Sequence, residues 1–473
     1  MRVESMHFKA RATKAVADGA LQAKLTAARG LFVEGRRRAV EQVDFEALRE
    51  AGAAIRQRTL DHLDLWLERF EREATRRGAE VLWAKDGDEI CRLVVELAKR
   101  HGVTKAIKSK SMLSEEAGLN AALEAAGVQP VETDLGEYIL QINDNEPPSH
   151  IIAPVIHKTK EEVAALFERV HQTPRKTEIA EMTREARERL RPHFLSAEMG
   201  ISGGNFLVAE TGSVALVTNE GNGRMVTTLP KLHVVITGIE KVIPTLEDLA
   251  TLMRLLPRSA TGQTISNYFS VLTGTRGGGE SDGAVHRVFI LVDNGRVGLI
   301  GSEFQDMLRC IRCGACMNHC PVYQTVGGHS YGWVYPGPMG SVLTPLFVGL
   351  ENALDLPQAA TLCNQCGVVC PVKIPLPDLL RKLRQKQTER GLRPWRERAA
   401  LRMWAWLAVH PRWYALTAAL IARSLKLLAG RRGRIRHLPL MNGWSAGRDL
   451  PASQGRTFRE LYATRDGGTG SSP

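Results

Sequence analysis

Seven of the eight cysteines in this chain fall between Cys310 and Cys370. The first four, Cys310, Cys313, Cys316 and Cys320, follow the spacing C-x2-C-x2-C-x3-C and are closed by Pro321. Three thiolates at that spacing can close round one face of an iron-sulfur cluster, while the fourth, turned away by the proline, points to a neighbouring cluster. A second ligand set is therefore demanded. Cys363, Cys366 and Cys370 before Pro371 supply it, with Ala360 where a first cysteine would stand.

The crossed wiring of two-cluster ferredoxins assigns Cys310, Cys313, Cys316 and Cys370 to cluster 1, and Cys320, Cys363 and Cys366 to cluster 2. Cluster 2 is then one thiolate short. It is either a 3Fe-4S centre or a 4Fe-4S centre whose last iron binds something other than cysteine. His329, in the glycine- and proline-rich segment 321–362, is one candidate for that place, the alternative being a histidine bonded within its loop. Zinc competes as a reading of C-x2-C pairs, but it takes four ligands and has no use for two interleaved C-x3-C-P endings. Disulfides are disfavoured by the odd number and close spacing of the cysteines. The amino terminus, charged from Arg2 to Lys9, does not read as a secretory signal, so a cytoplasmic location is expected.

Along the chain, residues 1–77 are rich in Ala, Arg, Glu and Leu and read as helices, most clearly Asp61–Phe70. Residues 78–300 alternate short apolar runs with amphipathic segments. Strands are expected at 80–84, 104–107 and 128–133, with helices at 86–101 and 114–126 between them, a pattern of parallel α/β units. Further strands are expected at Ile139 and Ile151, then helices at 160–171 and 177–194. A glycine-punctuated half follows, with strands flanking Thr211-Gly212-Ser213, a loop at Asn219–Arg224, a strand at 233–238, a helix at 245–256 and a β-rich stretch at 285–292. Cys91, on the apolar side of the 86–101 helix, is expected to be a packed thiol. Two loops, Gly203–Asn205 and Arg276–Asp282, could present backbone N–H groups and an arginine to an anion, but neither matches a dinucleotide or Walker spacing. No catalytic residue can be named.

Several stretches together resemble one family, the B subunit of the bacterial lactate-utilisation complex: Thr133-Asp134-Leu135-Gly136-Glu137, Ala209-Glu210-Thr211-Gly212-Ser213, the Cys310–Cys316 run, Gly327–Gly332, Tyr335–Gly340 and Cys370–Pro375. The resemblance implies an α/β lactate-utilisation domain similar in fold to sugar-phosphate isomerases and coenzyme A transferases. It also implies two 4Fe-4S clusters and two partner subunits, one cysteine-rich and one a shorter copy of the α/β domain. The expected architecture is that α/β domain (78–300) after a helical region (1–77), then an α-helical ferredoxin-type domain (301–392), then a basic helical tail (393–473) with a disordered end from about residue 450.

The tail carries the charge. Residues 371–473 hold 21 Lys and Arg against 6 Asp and Glu, an excess larger than the net +12 of the whole chain. A basic helix at 379–398 and an apolar one at 400–428 are expected, and five of the eight tryptophans lie here. Such a tail can dock on an acidic partner, pack on its own body or lie on an anionic membrane surface at the inner face. No recognition motif for nucleic acid accompanies it, and no run reaches the roughly 18 apolar residues of a spanning helix. The expected role is electron transfer within a complex oxidising L-lactate, non-catalytic or co-catalytic. An iron-sulfur arm of another 2-hydroxy acid oxidase, such as one for glycolate, and a non-enzymatic sensor or scaffold are the alternatives.

Overall fold

A computed structural model of the chain describes residues 3–28, 30–437 and 448–465. Two compact units are present, Met1–Glu389 and Arg390–Pro473. The first is centred on a six-stranded, wholly parallel sheet of β1 (Glu80–Ala84), β2 (Lys105–Lys108), β3 (Gln129–Glu132), β4 (Met199–Ser202), β7 (Leu232–Gly238) and β10 (His286–Val292), in the order β1-β10-β7-β4-β2-β3. Its inner strands are largely buried and carry mostly apolar residues, because both faces are covered. Met199, Ile201, Val234, Ile236, Val288 and Ile290 face the helix Gly87–Arg100, which presents Ile90, Val94 and Leu97 at helical spacing. Val235, Phe289 and Leu291 face the other way, onto Leu63, Leu67, Phe70 and Ala74 of the helix Leu63–Arg76.

The chain steps from β2 to β3 toward one edge and from β4 through β7 to β10 toward the other, so its winding reverses between β2 and β4. The crevice beyond the carboxyl ends of strands at such a reversal is where open α/β sheets bind ligands. A second sheet, β8-β5-β6-β9, joins β5 (Phe206–Val208), β6 (Ser213–Thr218), β8 (Val242–Ile243) and β9 (Tyr268–Thr273). The turn between β5 and β6 requires Gly212: its φ is +63°, and a Cβ there would sit 2.3 Å from the Ala74 backbone nitrogen.

Side-chain caps open several of the helices, with Asp86, Ser111, Asp134, Thr159 and Thr245 each accepting from a backbone N–H of the first turn. They also explain two corrections. Ile139 is helical, within Leu135–Ile142, because Asp134 accepts from the N–H groups of Gly136 and Glu137. Ile151 lies among turns, where His150 Nδ1 accepts from the N–H groups of Ile152 and Ala153 and takes the place of a strand partner. The expected helix at 114–126 is two, Met112–Ala117 and Leu119–Ala125, divided at Gly118 with its left-handed φ of +71°. Asn219–Arg224 is not wholly loop, since Asn222–Thr228 is a helix whose Val226 is fully buried. Cys91 is half-buried, its thiol donating to Ala117 O at 3.5 Å, and burial pushes its pKa up.

The amino-terminal helices grip the cysteine region. Arg49 donates to Cys370 O at 2.9 Å and Arg36 to Val369 O at 3.2 Å. Arg56, fully buried, donates to Val242 O at 2.9 Å and Leu308 O at 3.1 Å, tying its helix to β8 and to the approach to Cys310.

In the second unit, the expected 379–398 helix does not run through. The helix Leu376–Glu389 ends in the first unit, and Gly391 (φ +66°) and Pro394 precede a new helix, Trp395–Ala408, followed by Pro411–Ala429. The carboxyl-terminal end is not wholly disordered, since Phe458–Arg465 is helical, started by Thr457 and Glu460 in mutual capping bonds. Residues 466–473 lie outside the described residues. Among the described residues no helix is long and apolar enough to cross a membrane.

Candidate iron-sulfur centre and adjoining cavity

The two cysteine runs adopt the same local backbone. Each carries a left-handed residue before and after one cysteine: Arg312 (φ +57°) and Gly314 (φ +74°) flank Cys313, and Leu362 (φ +55°) and Asn364 (φ +65°) flank Cys363. Each then forms a four-residue helix, Ala315–Asn318 and Gln365–Val368. These loops wind so that successive thiols converge. Cys310, Cys313, Cys316 and Cys370 line one hollow, walled by Ile311, Met339, Val372 and Ile374. The Arg312 N–H donates to Cys310 Sγ at 3.4 Å and the Ile374 N–H to Cys370 Sγ at 3.3 Å. Such bonds to sulfur help to set cluster potentials.

Cys320, Cys363 and Cys366 form the other group, close enough that charge on Cys363 raises Cys320 and charge on Cys320 and Cys363 raises Cys366. Burial pushes the Cys370 thiol up to about 11 and Cys366 up to about 12. Cys316 feels the charge of both groups, from Cys313 and Cys310 on one side and Cys366 on the other. One buried polar atom fits a cluster here. The Tyr331 hydroxyl has no hydrogen-bond partner, its ring is fully buried, and charge on Cys320 and Cys316 bears on it. That leaves a buried donor free for a group in this region. His329 is placed differently: its Nε2 bonds Pro147 O at 2.8 Å and its ring packs on His157, and none of these contacts is with a cysteine.

Comparison with known proteins finds a cluster-binding family over the segment that holds these cysteines. A 4Fe-4S dicluster domain family matches residues 306–374, the LUD domain family residues 67–287, and the family "Lactate utilisation protein B, C-terminal" residues 381–466. Lactate utilization protein B of Lysinibacillus sphaericus is 39% identical over 470 residues, covering 99% of both chains. The chain belongs to the lactate utilization protein B family. The Geobacillus kaustophilus member is 43% identical over 90% of this chain and 89% of its own. The "Uncharacterized electron transport protein YkgF" of Escherichia coli is 41% identical over 98% and 97%. As a member of this family with a dicluster domain, the chain carries two 4Fe-4S clusters.

Beside the first cysteine run lies a cavity of about 300 Å³ that the sequence did not announce. It opens beyond the carboxyl ends of β2, β4 and β7, between Ser109–Leu113, Gly203–Asn205 and Thr237–Lys241, and Ile311 and Arg312 close it on the cluster side. Of the two glycine loops singled out from the sequence, Gly203–Asn205 lines it. The Arg276–Asp282 loop does not, and it closes on itself through the Gly277 N–H donating to Glu280 at 2.7 Å.

The cluster-side wall is a buried ion network. Arg296 pairs with Glu116 at 3.2 Å and with Glu240 at 2.9 Å, and Arg312 lies 3.7 Å from Glu240. Lys241 donates to Cys310 O at 3.0 Å. Burial alone would raise the Glu240 carboxyl, but Arg296, Lys241 and Arg312 outweigh it and hold it at about 2. Gly238 is required beside them, since a Cβ there would meet Glu240 Oε2 at 2.0 Å and Arg296 Nε at 2.7 Å. The opposite wall is acidic, formed by Asp134 and Glu220. Burial and the Asp134 charge raise the Glu220 carboxyl to about 7.

Proposed function

We propose that this chain is the iron-sulfur electron-transfer subunit of a cytoplasmic complex that oxidises L-lactate to pyruvate. Cluster 1 is held by Cys310, Cys313, Cys316 and Cys370, and cluster 2 by Cys320, Cys363 and Cys366 with a fourth position not filled by cysteine. The observation that carries this reading is the gathering of Cys310, Cys313, Cys316 and Cys370 round one walled hollow while Cys363 of the other run reaches the surface. Two 4Fe-4S clusters supply two one-electron carriers, which matches the pair of electrons released when a 2-hydroxy acid becomes a 2-oxo acid. The names of the relatives, lactate utilization protein B and an electron transport protein, support the same role.

Two partner subunits, one cysteine-rich and one a shorter α/β copy, complete the complex. The second unit offers a surface for one of them: Trp395, Trp404, Trp406, Val409 and Trp413 are all at least half exposed on helices flanked by arginines, and large exposed apolar areas mark interaction sites. The test is anaerobic purification with bound partners, followed by addition of L-lactate under electron paramagnetic resonance. Signals of reduced clusters that grow with lactate and not with glycolate are expected. Clusters that stay oxidised in the intact complex would refute the role.

A further inference from the structure

We propose that the cavity between the parallel sheet and the first cysteine run is a binding site for a small 2-hydroxy carboxylate, so that the substrate is held by this chain and not by a partner. The proposal rests on the lactate-oxidising role for the identity of the acid; its geometry stands by itself.

Position comes first. The cavity occupies the crevice at the reversal of strand order between β2 and β4, where ligands of open α/β sheets bind. Ile311 and Arg312 line both this cavity and the hollow of Cys310, Cys313, Cys316 and Cys370. One layer of side chains separates the two spaces.

The chemistry of the walls then selects the ligand. On the cluster side Arg296 is spent on Glu116 and Glu240. Arg312 is not: its guanidinium carbon lies over the Tyr335 ring, 4.7 Å from its centre, with only a long 3.7 Å contact to Glu240 and the sulfur of Met339 at 3.3 Å. A planar fork held in place by stacking, with donors to spare, suits a carboxylate. Lys241, with its one described acceptor on Cys310, stands beside it. Neutralising the cluster's own negative charge would account for Arg312 and Lys241 on this side, but it does not account for the opposite wall.

There the groups accept. The Glu220 Oε2 takes the Leu135 N–H at 3.1 Å, and among the described residues its other oxygen has no hydrogen bond. Asn222 donates through Nδ2 to Thr133, while its Oδ1, buried in a residue only 5% exposed, has no partner. Leaving a buried acceptor unpaired is unfavourable, so a donor belongs there. A cationic wall facing an accepting wall fits a ligand with an anionic end and a hydroxyl donor on the next carbon. A bare carboxylate would satisfy one wall only. The volume also exceeds what a three-carbon acid fills, so a longer side chain on the same 2-hydroxy acid head is accommodated.

The test uses the full chain with both clusters in place, oxidised and anaerobic, with binding read by equilibrium dialysis of labelled ligands. L-lactate is expected to bind at least about tenfold more tightly than propionate, which lacks the hydroxyl, and than lactamide, which lacks the charge. 2-Hydroxybutyrate is expected to compete with lactate on equal terms. Glu220→Ala should bring lactate down to the level of propionate and leave propionate unchanged, a pattern that a merely structural role for Glu220 would not give. Equal binding of the three ligands, or none at 10-millimolar order, overturns the site without any variant, as does a Glu220→Ala protein that still prefers lactate. If lactate fails to bind here but still reduces the clusters of the purified complex, the electron-transfer role stands and the substrate site lies on a partner. If lactate binds here yet reduces nothing in the complex, the site stands and the role falls.

Discussion

The two cysteine runs share a backbone and differ in everything around it. In the first, Ile311, Cys313, Gly314, Ala315 and Met317 are buried, and Arg312 is stacked on Tyr335 and faces the Glu240 network. In the second, Thr361, Leu362, Cys363, Asn364 and Gln365 are all exposed, and Val368 is 56% exposed. One cluster-binding turn is thus set into the protein and the other faces outward. The proposed electron route would use that asymmetry: chemistry would be sheltered from water on one side, and a partner could approach on the other.

The comparison breaks most directly at the ligands. If the last cysteine of each run crosses over, Cys370→Ala should abolish the cluster of the walled run, and Cys320→Ala the cluster of the exposed run. Iron should fall from about eight per chain to about four in each case. Electron paramagnetic resonance of the two reduced variants separates the outcomes. Loss of the cluster at Cys363 in the Cys370→Ala protein would end the crossed assignment. The asymmetry also predicts which cluster fails in air: the exposed one, with three cysteines, should lose one iron and give a 3Fe-4S signal while the walled one persists.

Why the cysteine arrangement is legible in sequence and the cavity is not follows from range. Ligand spacing is a local matter, since C-x2-C-x2-C closes on itself within a few residues, and the strands β1, β2, β3 and β7 announce themselves by short apolar runs between helices. The cavity walls come from Lys110, Asn205, Glu220, Lys241 and Arg312, five segments that meet only because the sheet is ordered β4 beside β2 and β7. Nothing in the alternation of strands and helices specifies that order. Asn222 shows the same limit. Its glycine- and asparagine-rich stretch has the composition of a loop, and burial of Val226 with the bond from Asn222 to Thr133 makes it a helix start.

The second largest effect concerns the wall itself. Glu240→Gln leaves Arg296, Arg312 and Lys241 buried with less compensation, a loss on the order of 3–5 kcal/mol. Anaerobic thermal unfolding should show it as a large fall in Tm, with cluster 2 surviving better than cluster 1 at intermediate temperature. A Glu240→Gln protein of unchanged Tm would mean that the network is not what encloses the first run.

Acid should act on the same side. His150, bonded to Asn318 of the first run, and His157, packed on His329 in the segment between the runs, are held neutral, burial pushing each down to about 4. Their folded pKa lies below the unfolded value near 6.5, so the unfolded chain takes up protons that the folded one refuses. Stability is full above about pH 6.5 and declines as pH falls toward 4, by on the order of 2 kcal/mol per histidine at pH 5. Denaturant midpoints at pH 7.5 and 5.0 measure it, and His157→Gln should flatten the decline. A midpoint that rises toward pH 5 would contradict the burial of both rings.

The smallest effect isolates what surrounds one backbone position. Arg312 and Leu362 occupy equivalent places, each left-handed and each just before a cysteine, where an L-residue is strained by about 1–2 kcal/mol and glycine is not. At Leu362, 37% exposed, glycine relieves that strain and gives back a similar amount in unfolded-state entropy and lost contact. Leu362→Gly should therefore change stability by less than about 1 kcal/mol and leave both clusters intact. The same change at Arg312 relieves the same strain, but it removes the stacking on Tyr335 and a cation facing Glu240, so it should lower Tm clearly and open the cavity to water. Both variants are measured side by side by anaerobic melting and iron content. Equal responses would show that the two runs differ only in exposure; the expected divergence shows that the first run is also the wall of a site.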